Sequence, residues 1–258
     1  MDTQLLQLLI TAIFVSIAAS LLGSFVILKK MALVGDALSH VALPGIALGL
    51  LLHFNPFVGA FLALFVAVLG IWFLKYQTRL PIDTLVGIFF TASLAIGVLL
   101  IPEQDLLEAM FGNISALNLS EAIILILLSA LIIFLILVLR KKLAINMLSE
   151  ELSHSADINN KRLDFIYLLT FALAVAIGIK FVGALLMGAL VIIPAASSKN
   201  ITRSLKGYMT WSVIFGILSA IVGILFSFKL KMTPGPFFII TSAILFIISL
   251  FFRKLRYR

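Results

Sequence analysis

The chain has 258 residues, of which 63% are hydrophobic and 12% charged, where a soluble domain is about half apolar and a quarter charged. No water-soluble core can hide that much apolar surface, and the net charge of +8 does not point to nucleic acid because the Lys and Arg residues sit at the ends of apolar runs. Cysteine is absent, which removes disulfides, thiolate metal ligands and cysteine nucleophiles and leaves His, Asp, Glu, Asn and backbone oxygens for any metal.

A membrane helix needs about 20 apolar residues. Charged or turn-rich breaks divide the chain into nine candidate spans, at 5–28, 32–52, 56–74, 84–101, 119–139, 163–179, 182–197, 208–228 and 235–252. The seventh is the shortest, and the count falls to eight if it does not cross. The first follows Met1, Asp2 and Thr3 with no basic segment ahead of it and reads as a retained helix. The predicted fold is therefore all-α, a polytopic helical bundle in the lipid bilayer, with 1–258 as a single transmembrane domain.

Cations collect in cytoplasmic loops. One set of alternate loops holds 16 of the 19 Lys and Arg residues, and the other holds only Lys180, Lys229 and Lys231. That asymmetry predicts an N-terminus outside and a C-terminus in the cytoplasm. Glu103, Asp105 and Glu108 then lie outside, and 140–162 is the longest cytoplasmic connection.

The second span carries Asp36, Ser39, His40 and Pro44 within an otherwise apolar helix. Ionisable groups inside a membrane are costly and mark transport pathways. His40 lies roughly 15 Å along the helix from Lys30, near the bilayer midplane, with Asp36 one turn nearer the cytoplasm. Four-residue spacing stacks the two on one helix face, so a carboxylate oxygen and an imidazole nitrogen can reach one ion. Pro44 deprives the His40 carbonyl of its usual i+4 donor, and Gly45 and Gly49 form a small-xxx-small pair suited to close helix packing. Asp36 and His40 could instead bond each other and a neighbour, fixing the bundle without touching a substrate. His53, at the outer end of the span, is a candidate for the point where metal comes in, although a histidine there also suits an interfacial ring. His154 reads as a solvated loop residue.

The zinc-protease pattern, the phosphate-binding glycine loop and the serine nucleophile elbow are all missing from the sequence. A transporter without its own nucleotide site draws its energy from a gradient or from a partner.

The stretch Val34-Gly-Asp-Ala-Leu-Ser-His-Val-Ala-Leu-Pro-Gly45 resembles the signature of the permease subunits of bacterial ABC importers for zinc, manganese and iron. The likeness continues through Asp83-Thr-Leu-Val-Gly-Ile-Phe-Phe-Thr-Ala, Met110-Phe-Gly-Asn-Ile, Gly183-Ala-Leu-Leu-Met-Gly-Ala-Leu-Val-Ile-Ile-Pro-Ala-Ala, Gly223-Ile-Leu-Phe-Ser and Thr233-Pro-Gly-Pro. It implies that Asp36 and His40 form a transmembrane metal site for a divalent zinc, manganese or iron ion carried as substrate, with no permanently bound cofactor. It implies a homodimer in the bacterial cytoplasmic membrane, two cytoplasmic ATP-binding subunits and an extracytoplasmic metal-binding protein. Ser149-Glu-Glu-Leu-Ser-His-Ser-Ala-Asp-Ile158 is similar to the family's coupling segment, a short helix that docks on the ATPase, which assigns that contact to Glu150, Glu151 and Leu152. Asp157 stands where the family usually has glycine, and Lys229 and Lys231 where it often has an acidic residue. The rival reading is a secondary, proton-coupled metal transporter, which would be expected to carry more intramembrane acids than Asp36 and the membrane-end Asp83.

Overall fold

A computed structural model of the chain describes residues 3–78, 80–100, 117–148 and 150–256. The segment with Glu103, Asp105, Glu108 and Met110-Phe-Gly-Asn-Ile lies outside the described residues, as do Arg79 and Ser149 and the side chains of Glu150 and His154. The described residues are helical and turn-linked, with no strand among them. The helices are α1 (Thr3–Leu28), α2 (Ala32–Val41), α3 (Leu43–Leu51), α4 (Pro56–Thr78), α5 (Ile82–Leu100), α6 (Leu119–Leu148), α7 (Glu150–Ser155), α8 (Asn160–Val182), α9 (Met187–Ile201), α10 (Leu205–Leu230) and α11 (Pro234–Arg256). Hydrocarbon offers backbone groups no partner, and the helix satisfies them within one segment.

Among the described residues eight stretches are long and apolar enough to cross a membrane, with α2 and α3 counting as one. The seventh expected span is α9, whose 15 residues cover about 22 Å against a hydrocarbon core of about 30 Å. Contacts still show α9 running the chain back. Gly235, at the start of α11, packs on the Val182 carbonyl at the end of α8. Near the opposite end of α11, Ser249 accepts a hydrogen bond from the Asn200 amide at the end of α9, at 2.9 Å. Ser198 Oγ donates to the Tyr208 carbonyl at the start of α10, at 2.6 Å. Consecutive strokes therefore alternate in direction, with the ends of α1, α4 and α6 on the side where α8 and α10 begin.

Two expected boundaries shift. The sequence predicts the fifth span at 119–139 and the connection after it at 140–162, but α6 is 30 residues long and continues through Arg140, Lys141 and Lys142. At about 45 Å it outruns the hydrocarbon, so the basic cluster marks where the apolar layer ends rather than where the helix does. The second span is interrupted at Ala42, where α2 gives way to α3. Pro44, in the first turn of α3, has no amide to continue the ladder from His40 and fits that first turn without penalty.

The core lies along α1, α2, α8 and α9, and α8 is buried over most of its length. Side-chain oxygens cap two of these strokes. Asn159 accepts from the Arg162 amide ahead of α8, and Ser204 accepts from the Gly207 amide ahead of α10, so each shields an otherwise unpaired helix donor.

The packing role expected for Gly45 and Gly49 is present. A Cβ on Gly45 would collide with the Gly59 carbonyl of α4, a Cβ on Gly59 would collide with the Gly45 carbonyl, and one on Gly49 would come within 2.7 Å of Pro56 Cα. Backbone meets backbone here, which leaves no flexible side chain to yield. Gly59→Val should therefore destabilise the bundle by about 1–3 kcal/mol, read as a lower melting temperature of the detergent-purified protein. Gly87→Ala, whose added methyl would have nothing within 4 Å, should not lower it, since alanine is the better helix former.

Candidate metal site and its supports

α2 presents Asp36 and His40 one turn apart, just before the helix break. Asp36 is exposed on the open face of the chain and His40 is half-buried. The imidazole leans on Phe90 of α5, with ring centroids 5.5 Å apart and planes tilted by 57°. Its Nδ1 is buried without a hydrogen-bond partner. A buried polar atom with no partner is costly, and a cation placed between this nitrogen and the neighbouring carboxylate would remove that cost. The His40 carbonyl, expected to be freed by Pro44, instead accepts from the Ala42 amide.

Two supports hold α2 in place, and neither had been assigned from the sequence. Ser39 is fully buried, its Oγ 2.6 Å from the Asp36 carbonyl oxygen and 2.7 Å from that of Ala184. It pins α2 to the turn between α8 and α9. Gly188 of α9 lies directly against Asp36, and a Cβ there would come within 2.8 Å of Asp36 Cβ and 3.0 Å of Oδ1. The motif around 183–196 had been recognised, but the need for glycine at 188 follows from a contact across some 150 residues of chain.

Among the described residues no group of three or more His, Asp and Glu side chains could hold an ion. Among the described residues Asp36 and His40 thus stand as a pair, with no third acidic or imidazole group gathered beside them. His53 is not brought to them. It ends α3 in the left-handed region, φ 56°, exposed, about 20 Å along the span from His40.

On the side where α1 ends, the expected coupling segment forms the six-residue α7, with Glu151 and Leu152 exposed and Ser153 buried. Its exit is closed by the Ile158 amide donating to the Ser153 carbonyl, at 2.9 Å. Asp157 lies in that exit at φ 53°, the left-handed region in which glycine is least strained, so the family's glycine preference has a local backbone cause. Lys231 is likewise left-handed, as the C-cap of α10.

A cluster that the sequence did not reveal lies at this same end. Asp164 of α8 is buried and shared by two lysines, Lys29 Nζ at 3.2 Å and Lys75 Nζ in direct contact, with the Tyr76 hydroxyl donating at 3.0 Å. Burial pushes the Lys29 ammonium below the ordinary lysine range, and the neighbouring Asp164 charge opposes that shift. At the other end of α8, Lys180 pairs with Glu121 of α6 at 2.5 Å.

The ABC 3 transport family matches residues 1–253. The chain is 37% identical to the high-affinity zinc uptake system membrane protein ZnuB of Haemophilus influenzae, over 95% of its length and 96% of that protein's. It is 32% identical to the manganese transport system membrane protein MntC of Listeria monocytogenes, over 95% and 89%. The solved structure of PsaBC from Streptococcus pneumoniae in complex with Fab superposes with a TM-score of 0.84 at 31% identity, covering 99% of this chain and 96% of that one. Fold and sequence together define a multi-pass transport subunit of the bacterial inner membrane. The chain belongs to the ABC 3 transport family.

Gly188→Ala should push the Asp36 carboxylate out of register with His40 while leaving the helix intact. We expect substrate uptake to fall roughly tenfold or more at unchanged protein level in the membrane.

Proposed function

We propose that this chain is the permease of an ATP-driven importer that moves a divalent transition metal, zinc, manganese or iron, into the cytoplasm, with Asp36 and His40 as its transmembrane metal ligands. The observation that carries this reading is the pair itself. An exposed carboxylate and an imidazole with an unpartnered nitrogen stand one turn apart within a membrane span. Such a donor set suits zinc, manganese or iron. Two ligands are too few for a desolvated ion, so a second copy of the chain facing the first would bring the set to four, enough for a tetrahedral shell. The face of α5 beside His40 is available for that copy, since only Leu85, Val86 and Gly97 of its 19 residues are buried.

The N-terminus lies outside and the C-terminus in the cytoplasm, so the α1–α2 junction and α7 face the cytoplasm. Two ATP-binding subunits dock there on residues 140–162, chiefly on Glu150, Glu151 and Leu152. An extracytoplasmic metal-binding protein delivers the ion at the opposite side, where His53 lies. ATP hydrolysis belongs to the partner. Membership of an ABC family weighs against the proton-coupled alternative.

Asp36→Asn keeps shape and removes charge, and His40→Ala removes the nitrogen. Each should abolish metal uptake while the complex still assembles. Uptake is measured per assembled complex, and near wild-type transport by both variants would remove the metal site.

The docking assignment has its own test. Replacing Glu150 and Glu151 by Lys should abolish the stimulation of ATP hydrolysis by the metal-loaded binding protein and reduce uptake, with the melting temperature of the isolated permease unchanged. Survival of both activities would move the docking surface elsewhere.

A further inference from the structure

We propose that the buried Asp164 cluster is the link that carries movement of α7 to the metal-binding helix, with Lys29 as the positioning residue that makes the connection. The inference rests on the importer reading and on the docking of the ATPase at α7.

Each joint along this route is short and closed. α7 leads into α8 through residues 156–159, held by the Ile158 amide on the Ser153 carbonyl at 2.9 Å and capped by Asn159 on the Arg162 amide at 3.1 Å. The Asn146 amide of α6 donates to Asn160 Oδ1 at 3.0 Å, bracing the same corner. One turn into α8 stands Asp164. Lys29 reaches it from the end of α1 and lies 4.5 Å over the ring of Tyr167, the next turn of α8, so the α1 end is held at two points. From Lys29 the chain enters α2 through a turn with little freedom. Lys30 is left-handed at φ 58°, and the Met31 amide donates back to the Val26 carbonyl at 2.9 Å, the closing bond of a Schellman motif. Asp36 follows one and a half turns later. α7, α8, Asp164, Lys29, α2 and the metal pair thus form one continuous series.

The composition of the cluster also favours a mechanical role. Asp164 is 5% exposed, and Lys29 and Lys75 are 11% and 24% exposed. One carboxylate between two ammonium groups leaves an unbalanced positive charge in a largely dry place. Burying charges in this way is poor value for stability compared with apolar packing. What it does supply is registry, because the three groups fit in few arrangements. Lys75 and Tyr76 tie α4 to the same carboxylate, and α4 meets the metal span by packing on α3, beyond the break at Ala42, rather than by leading into α2. The two lysines therefore share one carboxylate but reach the metal pair by different routes, Lys29 through the chain that enters α2 and Lys75 through α3 beyond the break.

That difference supplies the test. Lys29→Met leaves a balanced Lys75–Asp164 pair, and Lys75→Met leaves a balanced Lys29–Asp164 pair. Permease, ATPase and binding protein are reconstituted in proteoliposomes, and metal taken up per ATP hydrolysed is measured with the metal recognised by that binding protein. Lys29→Met is expected to lower this ratio by about fivefold or more, the range of ordinary coupling between sites, with hydrolysis retained, and Lys75→Met to stay near the wild-type ratio. A purely structural cluster would instead lower the melting temperature of both variants and the ratio of neither. If the ratio falls equally in both, or in neither, the proposal is overturned. Should Lys29→Met not assemble, Lys29→Gln replaces it, and an unchanged ratio there overturns the proposal equally. Wild-type uptake that does not depend on ATP would refute the importer reading itself, and the link would fall with it.

Discussion

Hydrocarbon cannot hydrogen-bond a peptide group, and the architecture of this chain follows from that constraint. It explains why the described residues are helices joined by short turns, and why the break inside a span lies where protein covers it. The break at Ala42 is the instructive case. Pro44 stops the ladder in the middle of a span, the cut ends are taken up locally, and the ionisable pair sits on the last two turns before the break. Irregular backbone at membrane depth is tolerated only against protein or a polar cavity, so the constraint that shapes the bundle also marks its working region.

Two aspartates show opposite solutions to carrying charge in such a fold. Asp164 is enclosed and its charge answered by Lys29, Lys75 and the Tyr76 hydroxyl. Asp36 stands exposed on the face of a single chain, beside a histidine nitrogen that has no partner. A satisfied carboxylate holds helices together, whereas an exposed one within a span is the kind still open to an ion. Burial and partner count, more than depth, distinguish the structural charge from the candidate ligand.

The sequence made the second span legible because Asp36, His40, Pro44 and the small-residue pair are local features with local consequences. Helix periodicity placed the two candidate ligands on one face, and Pro44 announced the break. The supports were not legible in the same way. Ser39 finds the Ala184 carbonyl 145 residues away, and Lys29 finds Asp164 at a separation of 135. Hydropathy treats Asp164 as one more charge near a helix end. The length of α6 was missed for a related reason, since Arg140 to Lys142 end the apolar run but are good helix formers and the helix continues into water. The shortness of α9 could be read, but not its role in seating Gly188 against Asp36.

The short stroke of α9 also decides where the backbone of this corner finds its partners. The turn 183–186 is tied by Ala184 to Ser39 on α2, and Val182, Gly183 and Ala184 are all buried, so this corner is covered by protein rather than lipid. A helix of about 22 Å falls short of a hydrocarbon core of about 30 Å, so part of this crossing is made by the turn 183–186, whose backbone must find its partners in protein because lipid offers none. The Ser39 hydroxyl is such a partner, and the shortness of α9 is thereby what leaves a carbonyl free to anchor the helix that carries Asp36 and His40.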